Sequence, residues 1–127
     1  MESETLIEFR KKMINQANVV IAFGGNWNKE VNSNQFQGAI QEVLYAIYKE
    51  KQVVLLGGFG GAISMFIQDV NDMQNVRFTS KLKIFNNCYD IELTTSKINK
   101  WLLDNKNRMN QYENSRNLFE IIRLINS

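Results

Sequence analysis

A chain of 127 residues, 44% hydrophobic and 22% charged, is sized and composed for one globular domain. A formal net charge of +2 gives no basis for expecting a nucleic-acid partner. No apolar run approaches the roughly 18 residues of a membrane span, and the acidic start Met1-Glu2-Ser3-Glu4 lacks the order of a signal peptide. With no histidine and one cysteine, Cys88, the chain excludes histidine-based triads, histidine or cysteine-rich metal sites and internal disulfides; no cofactor is expected, and the expected setting is cytoplasmic.

Leu6, Phe9 and Met13 recur at helical spacing and predict a helix over residues 2–17. Val19-Val20-Ile21-Ala22-Phe23 is a short apolar run rich in β-branched residues, the pattern of a parallel strand buried on both faces. It ends in Gly24-Gly25, and the polar stretch 26–34 reads as a loop. Phe36, Ala39, Ile40, Val43, Leu44 and Ile47 share one face of a helix over residues 36–50. Val53-Val54-Leu55-Leu56 is a second buried-strand run, followed directly by Gly57-Gly58-Phe59-Gly60-Gly61 and a helix marked by Ile63, Phe66, Ile67 and Val70. Strand, crossover helix, strand is a βαβ unit, which is almost always right-handed.

Beyond Val76 the pattern weakens. A short strand is expected at residues 82–85, a helix after the capping cluster Thr94-Thr95-Ser96, and a final helix over residues 114–125 carrying Leu118, Ile121, Ile122 and Ile125 on one face. The whole, residues 1–127, reads as one α/β, Rossmann-like domain: a parallel sheet with flanking helices, a core over 1–72 and a helical extension over 94–126. Two strands are few for a doubly wound sheet. Either the chain is the C-terminal portion of a larger domain, with strands upstream or in a partner, or the region after Val76 supplies them.

Candidate chemistry collects at the strand ends. Glycines at 57, 58, 60 and 61, between a strand and a helix start, let a ligand approach the backbone, and a helix N-terminus attracts anions. The run is neither a P-loop nor the dinucleotide fingerprint, and its plain alternative is a tight turn. Gly24-Gly25-Asn26 ends the first strand in the same manner, so both turns point at one crevice at the carboxyl ends of the strands. Gly38 would let a ligand lie against the central helix. Glu42, one turn on, is placed to accept hydrogen bonds from ribose hydroxyls, or is simply a solvated surface residue. Arg10 is a candidate phosphate contact through its guanidinium fork, and Lys29 a second; either is otherwise a surface cation.

These residues together resemble the SLOG superfamily, which groups a DNA-uptake protein family, the cytokinin-activating phosphoribohydrolases and sensor domains of prokaryotic conflict systems. The resemblance runs from about Leu6 to Val70, through Phe9-Arg10-Lys11-Lys12-Met13, Phe23-Gly24-Gly25-Asn26, Gly38-Ala39-Ile40-Gln41-Glu42 and the run from Val53 to Ala62. It is nearest in look to SLOG domains attached to TIR-like or sirtuin-like NADases, the Thoeris type, which sense a cyclic ADP-ribose signal. The resemblance implies ligand contacts at Arg10, at the loop position Trp27 and at Glu42; with the glycine turns and their neighbours, the expected contacts are Arg10, Gly24, Gly25, Asn26, Trp27, Lys29, Gly38, Glu42, Gly58, Phe59, Gly60 and Gly61. Trp27 stands where the Thoeris form usually has lysine, and Lys29 is the nearest substitute.

The expected function is therefore sensing of a phosphorylated nucleotide derivative in an antiphage or conflict system, with no catalytic residue of its own. The expected partners are an attached or separate effector, or further copies of the chain, with neither membrane nor nucleic acid. The alternative is a nucleotide N-glycosidase resembling the phosphoribohydrolases, with Glu42 as acid/base and Arg10 beside it. Against it, the proline, threonine and contiguous glutamate of the family's Pro-Gly-Gly-x-Gly-Thr-x-x-Glu run are missing here.

Overall fold

The structure, a computed structural model, describes residues 4–57, 60–70 and 76–114, apart from the side chains of 4, 29, 31 and 106–114. Its elements in chain order are α1 (Glu4–Gln16), β1 (Val19–Phe23), α2 (Trp27–Asn32), α3 (Gly38–Tyr48), β2 (Gln52–Leu56), α4 (Gly61–Asp69), α5 (Val76–Tyr89) and α6 (Thr95–Asn114). β1 and β2 pair in parallel, from Val19 opposite Gln52 to Phe23 opposite Leu56. Both glycine turns therefore leave the sheet at the same end. The fold is α/β and agrees with a small Rossmann-like domain.

The two strands differ in burial. From Val53 to Leu56 every β2 side chain is buried, as expected for a strand covered on both faces. β1 does not meet that expectation: Ile21 is 41% and Phe23 58% exposed. α3 and α4 pack on both strands, but α6 runs against β2 and adds cover that β1 lacks. Leu82–Phe85, expected as a strand, lies inside α5. Phe78, Leu82, Phe85 and Tyr89 are its buried apolar residues, spaced four, three and four apart, which is a helical period. Among the described residues the sheet thus has two strands, and the segment from Val76 to Asn114 adds helices to it.

α1 also turns a different face inward from the one its apolar spacing suggests. Ile7 and Ile14 are buried, while Leu6, Phe9 and Met13 stay exposed. Arg10 lies three residues beyond Ile7 and four before Ile14, so the helix carries it inward with them. α1 packs on α3 and α5, and that contact brings Arg10 to the start of α3.

The expected loop after β1 contains the short helix α2. α3 begins after Gln37, whose side-chain oxygen accepts from the Ala39 N–H at 2.9 Å, a cap for one orphan donor of the first turn. Thr94 caps α6 in the expected way, its hydroxyl accepting from the Lys97 N–H at 3.1 Å. The core lies among α3, α4 and α5. Phe78 meets Phe36 edge-on at 5.4 Å between centroids, and Tyr89 packs 4.5 Å from Phe85 and 5.7 Å from Tyr45. The expected helix over 114–125 lies, past its first residue, outside the described residues. No helix of the described residues is long and apolar enough to cross a membrane.

Candidate functional site

The two glycine turns touch. A Cβ built on Gly61 would stand 2.5 Å from the Gly24 carbonyl oxygen, and Gly61 has φ +72°, so glycine is required there both by space and by conformation. The Ile63 N–H, in the first turn of α4, donates to that same carbonyl at 2.9 Å. The end of β1 is thereby bound to the start of α4. Gly25 continues the contact: a Cβ there would lie 3.0 Å from Ala62 Cβ and 3.1 Å from Gln37 Oε1. At Gly38 the neighbour is Arg10, whose Nη2 would be 2.5 Å from an added Cβ. From α4, across the end of β1, to the start of α3 and Arg10, the surface is floored by glycine backbone.

Two glycines of this floor face open space. Among the described residues, nothing lies within 4 Å of a Cβ built on Gly24 or on Gly60. Gly24 and Gly61 thus meet in a closed seam at the sheet end to which both turns were expected to point. The space over Gly38, expected to admit a ligand, is filled by the Arg10 guanidinium.

Arg10 is fixed by more than this contact. Its Nη1 donates to Gln41 Oε1 at 3.1 Å. The same oxygen accepts from the Tyr89 hydroxyl at 2.9 Å, and Gln41 Nε2 donates to the Phe36 carbonyl at 2.8 Å. Glu42, the next residue on α3, is half-buried. Burial pushes its carboxyl above the usual glutamate range, and the nearby Arg10 cation pulls part of the way back. Arg10, which lies against Gly38, is thus also close enough to Glu42 to act on its charge.

A second polar cluster braces the site from behind. Glu30 on α2 and Lys81 on α5 are 2% and 3% exposed, and their charged groups are 2.8 Å apart. Lys81 and Arg77 both donate to the Glu30 carbonyl, at 2.6 and 2.8 Å. The other carboxylate oxygen of Glu30 accepts from the Gln37 N–H at 2.7 Å. The residue that caps α3 is therefore held by a buried ion pair.

Of the expected contacts, Arg10, Gly24, Gly25, Gly38, Gly60, Gly61 and Glu42 stand at this end of the sheet. Asn26 precedes α2 and its carbonyl accepts from the Glu30 N–H at 3.1 Å; Trp27 opens α2 and is 53% exposed. Lys29 lies on α2 with its side chain outside the described residues, as are Gly58 and Phe59. Gln37, Gln41 and Tyr89 escaped the sequence reading. Gln41, a polar residue inside the apolar face of α3, was the visible signal for one of them.

A cavity of about 300 Å³ opens at the opposite end of β2, lined among others by Lys51, Gln52, Lys97, Trp101 and Asp104. Its cations are partly engaged: Lys51 donates to the Asn15 carbonyl at 3.1 Å, and Lys97 stands 5.1 Å over the Tyr48 ring. It has none of the glycine backbone of the other end. We place the candidate site at the glycine floor, where backbone without side chains stands beside the Arg10 guanidinium.

No curated protein and no solved structure matches the chain at a significant level. A family model does: the one described as SLOG cluster2 matches residues 1–124. With that match spanning nearly the whole sequence, on an α/β fold with paired glycine turns at one sheet end, the chain belongs to the SLOG family, a membership that suggests a nucleotide-related function.

Proposed function

We propose that the glycine floor binds a phosphorylated nucleotide derivative, such as a cyclic ADP-ribose signal, and that binding regulates an attached or partner effector in a prokaryotic conflict system. The observation that carries this reading is the glycine floor itself: among the described residues nothing stands over Gly24 and Gly60, and the Arg10 guanidinium lies against Gly38. Backbone N–H groups at the start of α4 and the Arg10 guanidinium take phosphate. Glu42 takes ribose hydroxyls. Trp27, exposed at the start of α2, and Lys29 lie on the next element and complete the ligand's surroundings.

Calorimetry with cyclic ADP-ribose isomers, ADP-ribose, NAD and nucleoside monophosphates tests the reading. One of them binds, and Arg10→Ala and Glu42→Gln each weaken it about ten- to a hundredfold. Binding unchanged in both variants, or no binding of any of these ligands, overturns it. The raised proton affinity of Glu42 favours one second reading, an N-glycosidase with this carboxyl as general acid. Chromatography of the ligand after incubation separates the two, since a sensor returns it intact and a hydrolase releases free base.

The reading also includes self-association or a docked effector. The exposed Leu6, Phe9 and Met13 on α1 and Ile21 and Phe23 on β1 support it. Sedimentation showing a monomer at every concentration, with or without ligand, removes the self-association arm.

A further inference from the structure

We propose that Gln41 and Tyr89 are positioning residues that fix the Arg10 guanidinium against Gly38, so that α5 takes part in setting the geometry of the glycine-floor site. This rests on the ligand reading above for its consequence in binding, but the placement of Arg10 is tested separately.

Gln41 is 5% exposed in a helix whose other buried side chains, Tyr45 apart, are wholly apolar. A buried amide is costly unless its donors and acceptor are bonded. Here the assignment of its two ends is forced. Arg10 has only donors to offer, so the atom facing it is the oxygen. Nε2 then faces the Phe36 carbonyl, which only accepts. The Tyr89 hydroxyl is left to donate to the same oxygen.

Tyr89 is itself held. It is fully buried, its ring is packed between Phe85 and Tyr45, and the Lys11 ammonium stands 5.9 Å over it. Its hydroxyl is a fixed post rather than a rotating group. The post orients the amide, the amide takes one nitrogen of the guanidinium, and the other nitrogen lies where Gly38 has no side chain. A long arginine side chain, otherwise spread over many rotamers, is ordered before any ligand arrives.

Tyr89→Phe removes the hydroxyl and keeps the ring, so the core stays filled. Carbon-13 NMR titration of the Glu42 carboxyl reads the position of Arg10 with no ligand present, because the guanidinium cation lowers that titration. Tyr89→Phe is expected to move the Glu42 midpoint upward, in the direction of Arg10→Ala. In the Arg10→Ala background it should produce no further movement. With ADP-ribose as the probe, Tyr89→Phe should weaken binding about two- to tenfold, and again by nothing more once Arg10 is gone.

An unmoved Glu42 titration in Tyr89→Phe overturns the positioning role. So does a shift of equal size with and without Arg10, which marks a general effect on the fold. If the titration behaves as expected and no nucleotide binds, the positioning stands and the ligand reading falls.

Discussion

Arg10 and Gly38 fit together as a side chain and a missing side chain. The guanidinium Nη2 lies 2.5 Å from the point where a Cβ at Gly38 would stand. Gly38 is the first residue of α3, where glycine offers the helix no advantage over alanine. The glycine is therefore explained by the arginine it accommodates and not by the helix.

That relationship yields a prediction in which stability and binding separate. The atom displaced by Gly38→Ala is the end of a flexible side chain, so the fold can yield cheaply. Thermal melting of Gly38→Ala should show a midpoint equal to or above that of wild type. Nucleotide affinity should fall about tenfold, because Arg10 is pushed from its place. A variant that melts well below wild type would show that Gly38 serves the backbone instead.

The seam between Gly61 and Gly24 predicts the opposite behaviour. A methyl group on Gly61 meets backbone, which cannot swing aside, and the residue has φ +72°. At Gly24 the φ is +69°, but the space is open. Gly24→Ala should cost about 1 kcal/mol of conformational strain, whereas Gly61→Ala adds the clash and should lose about 3 kcal/mol or more. Urea unfolding of the two variants side by side checks the order, and equal losses would mean that the seam opens without difficulty.

Such contrasts also explain what was legible in the sequence. β2 and the helices α3 and α4 announced themselves because their apolar residues follow one period with one solution. α1 carries two apolar stripes, Leu6-Phe9-Met13 and Ile7-Ile14, one residue out of phase. Local pattern favoured the larger stripe, whereas packing against α3 and α5 selected the smaller one. α5 was hidden because Lys81 interrupts its buried face, and a buried lysine is intelligible only once its partner Glu30, far back in the chain, is known. The glycine turns and Arg10 were readable as separate signals. Their contact was not, since it depends on the register of β1 against β2 and on the rotation of α1.

Glu42 gives the molecule a pH dependence with a definite sign. Burial raises its carboxyl above the ordinary 4.5, against the smaller opposing pull of Arg10. The folded state thus binds this proton more tightly than the unfolded chain. The associated stability is complete below about 4.5 and is lost as the pH rises through the folded-state value. Glu42→Gln cannot ionise. Its stability advantage over wild type should be greatest near neutrality and should vanish in acid, as followed by denaturant midpoints at several pH values. A constant difference across the range would refute the assignment.

The Glu30–Lys81 pair makes the last prediction, and it links stability to the site. Both groups are almost wholly buried, and each is doubly employed. Lys81 donates to the carboxylate and to the carbonyl of Glu30; the carboxylate also receives the Gln37 N–H. Lys81→Met fills similar space but leaves a buried carboxylate without its cation, and breaking a buried pair in this way costs about 3–5 kcal/mol. Adding Glu30→Gln removes the stranded charge while keeping an oxygen for Gln37, so the double variant should unfold at a higher denaturant concentration than Lys81→Met alone. Gln37 caps α3 and its side-chain oxygen lies beside Gly25, so loosening this brace should also weaken nucleotide binding in the single variant and restore part of it in the double. If Lys81→Met loses less than about 1 kcal/mol, or the double variant is the less stable of the two, the pair is not the brace that its burial and bonding indicate.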